Sequence, residues 1–126
     1  MDRIYQHNKL LAIRIKNIPY GSVPVTEGSE PLQLVTLKHP QGTYLQAHLH
    51  TPKKRVTKSL QECLIVKKGK VRLDLYDENK KLFKKISLQE GQTLIMVRGG
   101  YGIHLLKDSE LIEVKNGPFI EDKVRI

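Results

Sequence analysis

Apolar and polar residues alternate along most of the chain, in short runs separated by turn residues. The clearest example is residues 71–76, where Val71, Leu73 and Leu75 alternate with polar or charged neighbours. A period of two is typical of a strand with one buried face. The predicted strands are residues 10–16, 32–38, 43–50, 62–67, 71–76, 82–88, 92–97, 102–106 and 111–114.

Turn signals separate these runs, and no segment has the capped periodicity of a helix. Residues 21–31 and the basic residues 51–59 are predicted as loops, residues 39–42 and 77–80 as turns, and Gly69 as a tight turn. Short strands joined by turns predict an all-β protein, an antiparallel sandwich or barrel. Without a repeat or a linker, we expect residues 1–126 to form a single domain.

Composition narrows the classes of protein that fit this pattern. None of the apolar runs approaches the roughly 20 residues that a membrane span needs. The chain has one cysteine, Cys63, so an internal disulfide framework is excluded, and a reducing cytoplasm is the expected compartment. The polar start of the chain shows no secretory signal.

Charge first suggests a nucleic-acid partner, because the formal net charge is +9 at pH 7. Between Lys53 and Lys85, however, there are twelve basic and four acidic residues, so nearly all of the excess is local. That segment contains few aromatic residues for base stacking, and no recognition helix is visible. Nucleic-acid binding is therefore the remote alternative. A local field that favours a small anionic ligand, or a plain solvated surface, fits better.

Histidine spacing is the strongest chemical signal. His48 and His50 are two residues apart on a predicted strand, so their side chains should share a face. Glu62 opens the next strand in phase with Leu64, and His104 lies on a later strand. Imidazole and carboxylate suit a divalent transition metal: iron, manganese, nickel, zinc or copper. A histidine pair alone is also common as ordinary surface or core chemistry.

These residues resemble the first sequence motif of the cupin superfamily: His48-Leu-His50, a glutamate at Glu62, six residues, then Gly69. The insertion between His50 and Glu62 is longer than the motif's. The second motif is degenerate, since Gly91 and Gly99 match, Val97 replaces a proline, and His104 is two positions late. The motifs cover residues 43–106. Further segments resemble small single-domain cupins of surface-polysaccharide and acidic-sugar biosynthesis, through residues 99–102 and 112–118.

The resemblance implies a cupin-type double-stranded β-helix, a jelly-roll barrel, as a homodimer with metal inside. Carried over by position, the metal ligands are His48, His50 and Glu62, with His104 as a shifted fourth. Tyr101 stands where relatives have a histidine, and is the candidate catalytic residue or alternative ligand. Either a metal-dependent enzyme of the isomerase, epimerase or oxygenase type or a non-catalytic binding or regulatory cupin is compatible, since fold does not fix function.

Three further residues are candidate ligand contacts. Tyr44 and Gln46 share a strand phase with His48 and are expected to line the cavity. Arg98 presents a planar fork suited to phosphate or carboxylate. Ordinary packing or surface roles remain alternatives for all three. The expected ligand is a small anionic sugar or sugar nucleotide.

Overall fold

The computed structural model describes all 126 residues and consists of ten β-strands without a helix. Consequently no helix is long and apolar enough to cross a membrane. The strands are β1 (Asp2–Gln6), β2 (Lys9–Ile15), β3 (Gly21–Pro24), β4 (Val35–Lys38), β5 (Glu62–Lys68), β6 (Lys70–Tyr76), β7 (Leu82–Gln89), β8 (Thr93–Met96), β9 (Gly100–Leu105) and β10 (Glu110–Lys115).

All strand pairs are antiparallel. One sheet has five strands in the order β1-β2-β8-β5-β10, a second has three in the order β7-β6-β9, and β3 pairs with β4 alone. The all-β prediction is confirmed at this level. The structure is compatible with a β-sandwich, and the jelly-roll barrel stays a prediction.

The main core lies between the five-stranded and three-stranded sheets. Alternation along β6 turns Val71, Leu73 and Leu75 inward, and all three are completely buried. They pack with apolar residues of the opposite sheet, including Leu64 of β5 and Leu94 of β8. The apolar period along each strand therefore determines which face is inside.

A second, smaller core covers the other face of the larger sheet. Ile13 and Ile15 of β2 and Ile95 of β8 pack there with Val25, which follows β3. Because β2 is covered on both faces, its apolar run is nearly continuous rather than alternating.

The strands of both sheets run between the same two ends of the molecule. β5 runs from Glu62 to Lys68, and β6 returns from Lys70 to Tyr76. The turn between them uses Gly69, whose φ is +93° and whose missing Cβ leaves room for Ser109. Any other residue there would be strained and would collide with Ser109. Because a strand rises about 3.3 Å per residue, two residues of β6 that are five positions apart are separated by about 16 Å.

Seven of the predicted strands are confirmed with small changes at their ends, and an eighth, residues 32–38, is confirmed only over Val35–Lys38. The structure adds β1, whose alternation is mostly polar, and β3, which lies inside the segment predicted as a loop. Edge strands such as these bury few side chains, so their apolar signal is weak.

The prediction of a strand over residues 43–50 is wrong. That segment is irregular and exposed throughout. Its hydrogen bonds are local: the Thr43 amide donates to the Pro40 carbonyl, and the Ala47 amide donates to the Tyr44 hydroxyl. Alternation predicts which face a strand would bury, but a strand also needs a partner for its backbone groups. Here the backbone faces solvent.

Candidate functional site

A polar network joins the two sheets at the end of the molecule where β5 and β9 begin. The Tyr101 hydroxyl donates to Glu113 Oε2 at 3.1 Å. Lys115 Nζ lies 2.9 Å from Glu113 Oε1 and 3.8 Å from Glu62 Oε1. We call these four residues the carboxylate end; they bring together side chains of β5, β9 and β10.

Strand register explains why these side chains meet. Tyr101 is paired with Leu75, so it shares the inward face of β6 and packs against the core. Glu113 pairs with Leu64, and Lys115 pairs with Glu62. All four therefore point between the sheets, where the apolar filling of the sandwich ends.

Charge and burial set the protonation of this network. The pKa of Tyr101 is raised far above its usual value. Burial is the largest cause, and the negative charges of Glu62 and Glu113 add to it. The hydrogen bond to Glu113 and its charge raise the pKa of Lys115. At neutral pH the network thus offers a neutral phenol, one ammonium and carboxylate acceptors. The side chains of Glu62 and Glu113 are 28% and 34% exposed, so a ligand can reach them.

Gln61 lies next to Glu62, is only 1% exposed, and holds this end of the protein together through hydrogen bonds. Its Oε1 accepts a hydrogen bond from the Leu32 amide at 3.0 Å, and its Nε2 donates to Glu30 Oε2 at 2.6 Å. The backbone amide of Gln61 donates to Asn116 Oδ1 at 2.8 Å. Gln61 therefore fixes the start of β5 against the segment that follows β10.

Sequence reasoning missed Glu113, Lys115 and Gln61. A signal was present for the first two, because Leu111, Glu113 and Lys115 share one face of β10. Gln61 precedes its strand and bonds to residues far along the chain, so no local pattern identifies it.

His48 and His50 lie in the irregular segment, with their rings edge to face and 5.0 Å between centroids. His48 Nδ1 lies 3.0 Å from the Gln46 carbonyl oxygen. A ring nitrogen that donates to a carbonyl leaves the other nitrogen's lone pair available. The two imidazoles are thus close together, but they do not share a strand face as predicted, because this segment forms no strand.

The expectation that His104 points inward is wrong. His104 is paired with Arg72 on the outer face of the three-stranded sheet. Its Nε2 donates to Asp74 Oδ2 at 2.7 Å, and this bond, with the nearby Arg72 guanidinium, holds the pKa of Asp74 below its usual range. The prediction placed His104 in phase with Gly102, which is correct, but that phase faces out because Tyr101 and Ile103 face the core side.

The four predicted metal ligands are not assembled. Glu62 belongs to the carboxylate end, His104 is bonded to Asp74 on the outer face, and the two loop histidines face each other. No three His, Cys, Asp or Glu side chains lie close enough together to hold a metal ion. The residues as placed here do not fit a four-ligand centre, and metal binding stays a prediction.

None of the three candidate ligand contacts forms a hydrogen bond or an ion pair with the four residues of the carboxylate end. Tyr44 is 72% exposed, and its hydroxyl accepts from a nearby amide. Gln46 offers its carbonyl to His48. Arg98 donates to the Leu10 carbonyl at 3.0 Å and lies 3.9 Å from Glu30. In this arrangement Arg98 already holds two partners within the protein.

Cys63 lies beside Glu62 on β5 but points to the opposite face, where it is 3% exposed. Burial raises the pKa of its thiol to about 11. A thiol that stays protonated at neutral pH is a poor nucleophile.

Comparisons with protein-family models, with curated proteins and with solved structures found no match. The resemblance to cupins thus stays a prediction.

Proposed function

We propose that the protein binds a small hydroxyl-rich molecule, a sugar or a sugar derivative, at the carboxylate end. The observation that carries this proposal is the partly exposed network of Tyr101, Glu113, Lys115 and Glu62 between the two sheets. Sugar hydroxyls both donate and accept hydrogen bonds, so they match a site that offers donors and acceptors side by side.

Each group has a distinct part in this proposal. The Tyr101 phenol keeps its proton and acts as a donor. Glu62 and Glu113 accept hydrogen bonds from hydroxyls, and Lys115 donates to a ring or carbonyl oxygen. A carboxylate beside a protonated phenol can also accept a proton from a bound substrate while the phenol supports the oxygen that gains charge. This would extend binding to acid–base catalysis of the isomerase or epimerase kind.

The local charge refines the expected ligand. Two carboxylates and one ammonium give the network a formal charge of −1 at neutral pH, so it favours neutral hydroxyls over an anionic group. For a uronic acid or a sugar nucleotide, the neutral ring would contact this network and the anionic group would lie outside it.

The test is saturation-transfer NMR and calorimetry with a panel of neutral hexoses, uronic acids and nucleotide sugars. Glu113→Gln replaces one carboxylate acceptor with an NH₂ donor, and Tyr101→Phe removes the phenol donor. We expect about tenfold weaker binding for each, as for loss of one hydrogen bond to a charged group. Glu110→Gln on the same strand and Tyr76→Phe on the outward face are matched controls, which should keep wild-type affinity. Absence of binding across the panel, or equal losses in the controls, contradicts the proposal.

A second candidate is metal binding by His48 and His50. It is favoured by one observation, the short contact of His48 Nδ1 with the Gln46 carbonyl, because metal-binding histidines commonly fix their other nitrogen in this way. Elemental analysis of untagged protein tests it. We expect the double variant His48→Ala, His50→Ala to lose the metal and His39→Ala, also in an exposed segment, to retain it. Unchanged metal content in the double variant would overturn this assignment.

A further inference from the structure

A cleft of about 330 Å³ lies at the opposite end of the sandwich from Tyr101, and no apolar side chain lines it. Its six lining residues are Arg14, Lys16, Lys70, Ser87, Gln89 and Gln92. We call it the cationic cleft. Three of the six are cations and none is a carboxylate. Its size is at the lower limit of the roughly 300–1,000 Å³ typical of small-molecule sites.

Topology brings these residues together from distant parts of the chain. Arg14 is on β2, Lys70 opens β6, and Gln89 is its partner at the end of β7. Gln92 lies between β7 and β8. The pairing of β2 with β8 and of β6 with β7 therefore brings these cations to the end opposite the carboxylate end.

Arg14 is the oriented cation of the cleft. Its side chain is only 18% exposed, its Nε donates to Asp2 at 2.9 Å, and its Nη1 donates to the Ser87 carbonyl at 3.4 Å. These bonds fix the plane of the guanidinium and leave Nη2 without a partner in the protein. Asp2 offsets one positive charge, so the cleft with its neighbour retains a formal charge of +2.

The other donors of the cleft are also free. Neither Lys16 nor Lys70 forms an ion pair. The side-chain oxygen of Gln92 accepts from the Gln89 amide at 3.1 Å, which leaves its NH₂ group available to donate. Donors from two sheets and a turn thus surround one polar space, and like charges there repel until an anion binds.

We propose that the cationic cleft binds a phosphate group, as the free ion or as the phosphomonoester of a small molecule. A tetrahedral oxyanion accepts hydrogen bonds from several directions at once, as guanidinium, ammonium and amide donors on separate strands require. This inference does not depend on the proposed sugar site, because the two places share no residue.

The test is calorimetry and amide-shift NMR with inorganic phosphate and with methyl phosphate, against chloride at equal ionic strength. We expect saturable binding of one or both phosphates with shifts at Lys70, Gln89 and Gln92. Tighter binding of methyl phosphate identifies a phosphomonoester site, and tighter binding of inorganic phosphate identifies a site for the free ion. Absence of saturable binding by either, or equal binding of chloride, overturns the proposal.

Variants separate a built site from general attraction of anions. Lys70→Gln should weaken phosphate binding about tenfold, as expected for loss of a hydrogen bond between charged groups. Lys84→Gln removes the same charge from an exposed position of β7 outside the cleft and should leave affinity within about twofold, since exposed charges are screened by salt. Arg14→Lys keeps the charge and should still weaken binding, because it removes the fork. If Lys84→Gln weakens binding as much as Lys70→Gln, the attraction is non-specific and the proposal fails.

Discussion

The two ends of the protein carry opposite chemistry on different strands of the same two sheets. β5 and β10 bring Glu62 and Glu113 to one end, where Lys115 is their counterion. β6 brings Lys70 to the other end, where Asp2 is the one carboxylate that forms an ion pair with a cation of the cleft. The whole-chain charge of +9 hides this division. Alternation along a strand determines the face of the sheet on which a side chain lies. The position of the residue along that strand determines the end of the protein at which the side chain lies.

The ends also differ in how their charges are satisfied. At the carboxylate end the polar groups bond to one another across the sheets, so the network adds a link between them. In the cationic cleft two ammonium groups have no partner within the protein. The first end is therefore organised before any ligand arrives, whereas the second becomes more stable when an anion binds.

The largest expected effect comes from the core that supports both ends. Leu73 is fully buried midway along β6, and Leu73→Ala should lower the free energy of unfolding by about 2–5 kcal/mol through lost burial and a cavity. Urea unfolding followed by circular dichroism measures it. Leu82→Ala, at a position 47% exposed, is the control and should change the stability by less than about 1 kcal/mol. Equal effects would mean that the sheets do not share this core.

Much of this fold could be predicted from the sequence because its central strands have one fully buried face. β6 shows strict alternation, and Gly69 and the turn at residues 77–80 mark its ends. Prediction failed for residues 43–50, where alternation is present but no neighbouring strand pairs with the backbone. It also failed for β1, whose exposed side chains carry almost no apolar period.

The candidate site was less predictable because it depends on register between distant strands. Glu62 and Tyr101 were both identified, but Glu62 as a metal ligand and Tyr101 as a catalytic residue or alternative ligand. Their connection through Glu113 becomes visible only when β10 is aligned with β5. For His104, the predicted phase with Gly102 was correct, but the predicted inward direction was wrong. Tyr101 packs against the core from the other face of β9, so His104 points outward.

An intermediate effect is expected from the buried amide that anchors the carboxylate end alone. Gln61→Leu leaves the Leu32 amide and the Glu30 carboxylate without their partner. We expect the free energy of unfolding to fall by about 1–3 kcal/mol, the cost of unsatisfied buried polar groups. Gln41→Leu, at an exposed turn, should be neutral. Hydrogen exchange should become faster at Leu32 and Glu62 and stay unchanged at Lys70, and equal acceleration at both ends would show that the ends are not independent.

The smallest effect is confined to alkaline pH and distinguishes the ends by titration. Tyr101 is one of five tyrosines, and its pKa is raised by burial and by the charges of Glu62 and Glu113. A raised folded pKa means that its contribution to stability is complete below the unfolded value near 10 and is lost as the pH rises above it. Ultraviolet titration should therefore show that Tyr101 ionises only together with unfolding.

Tyr101→Phe tests the same point from the stability side. The variant has no phenol to ionise, so its free energy of unfolding should decline less steeply above pH 10 than that of the wild type, in urea titrations at successive pH values. Tyr76→Phe, on the outer face of β6, should retain the wild-type slope. A Tyr101→Phe slope identical to wild type would show that the phenol is not held between the two carboxylates, and the carboxylate end would lose the neutral donor that the proposed sugar site requires.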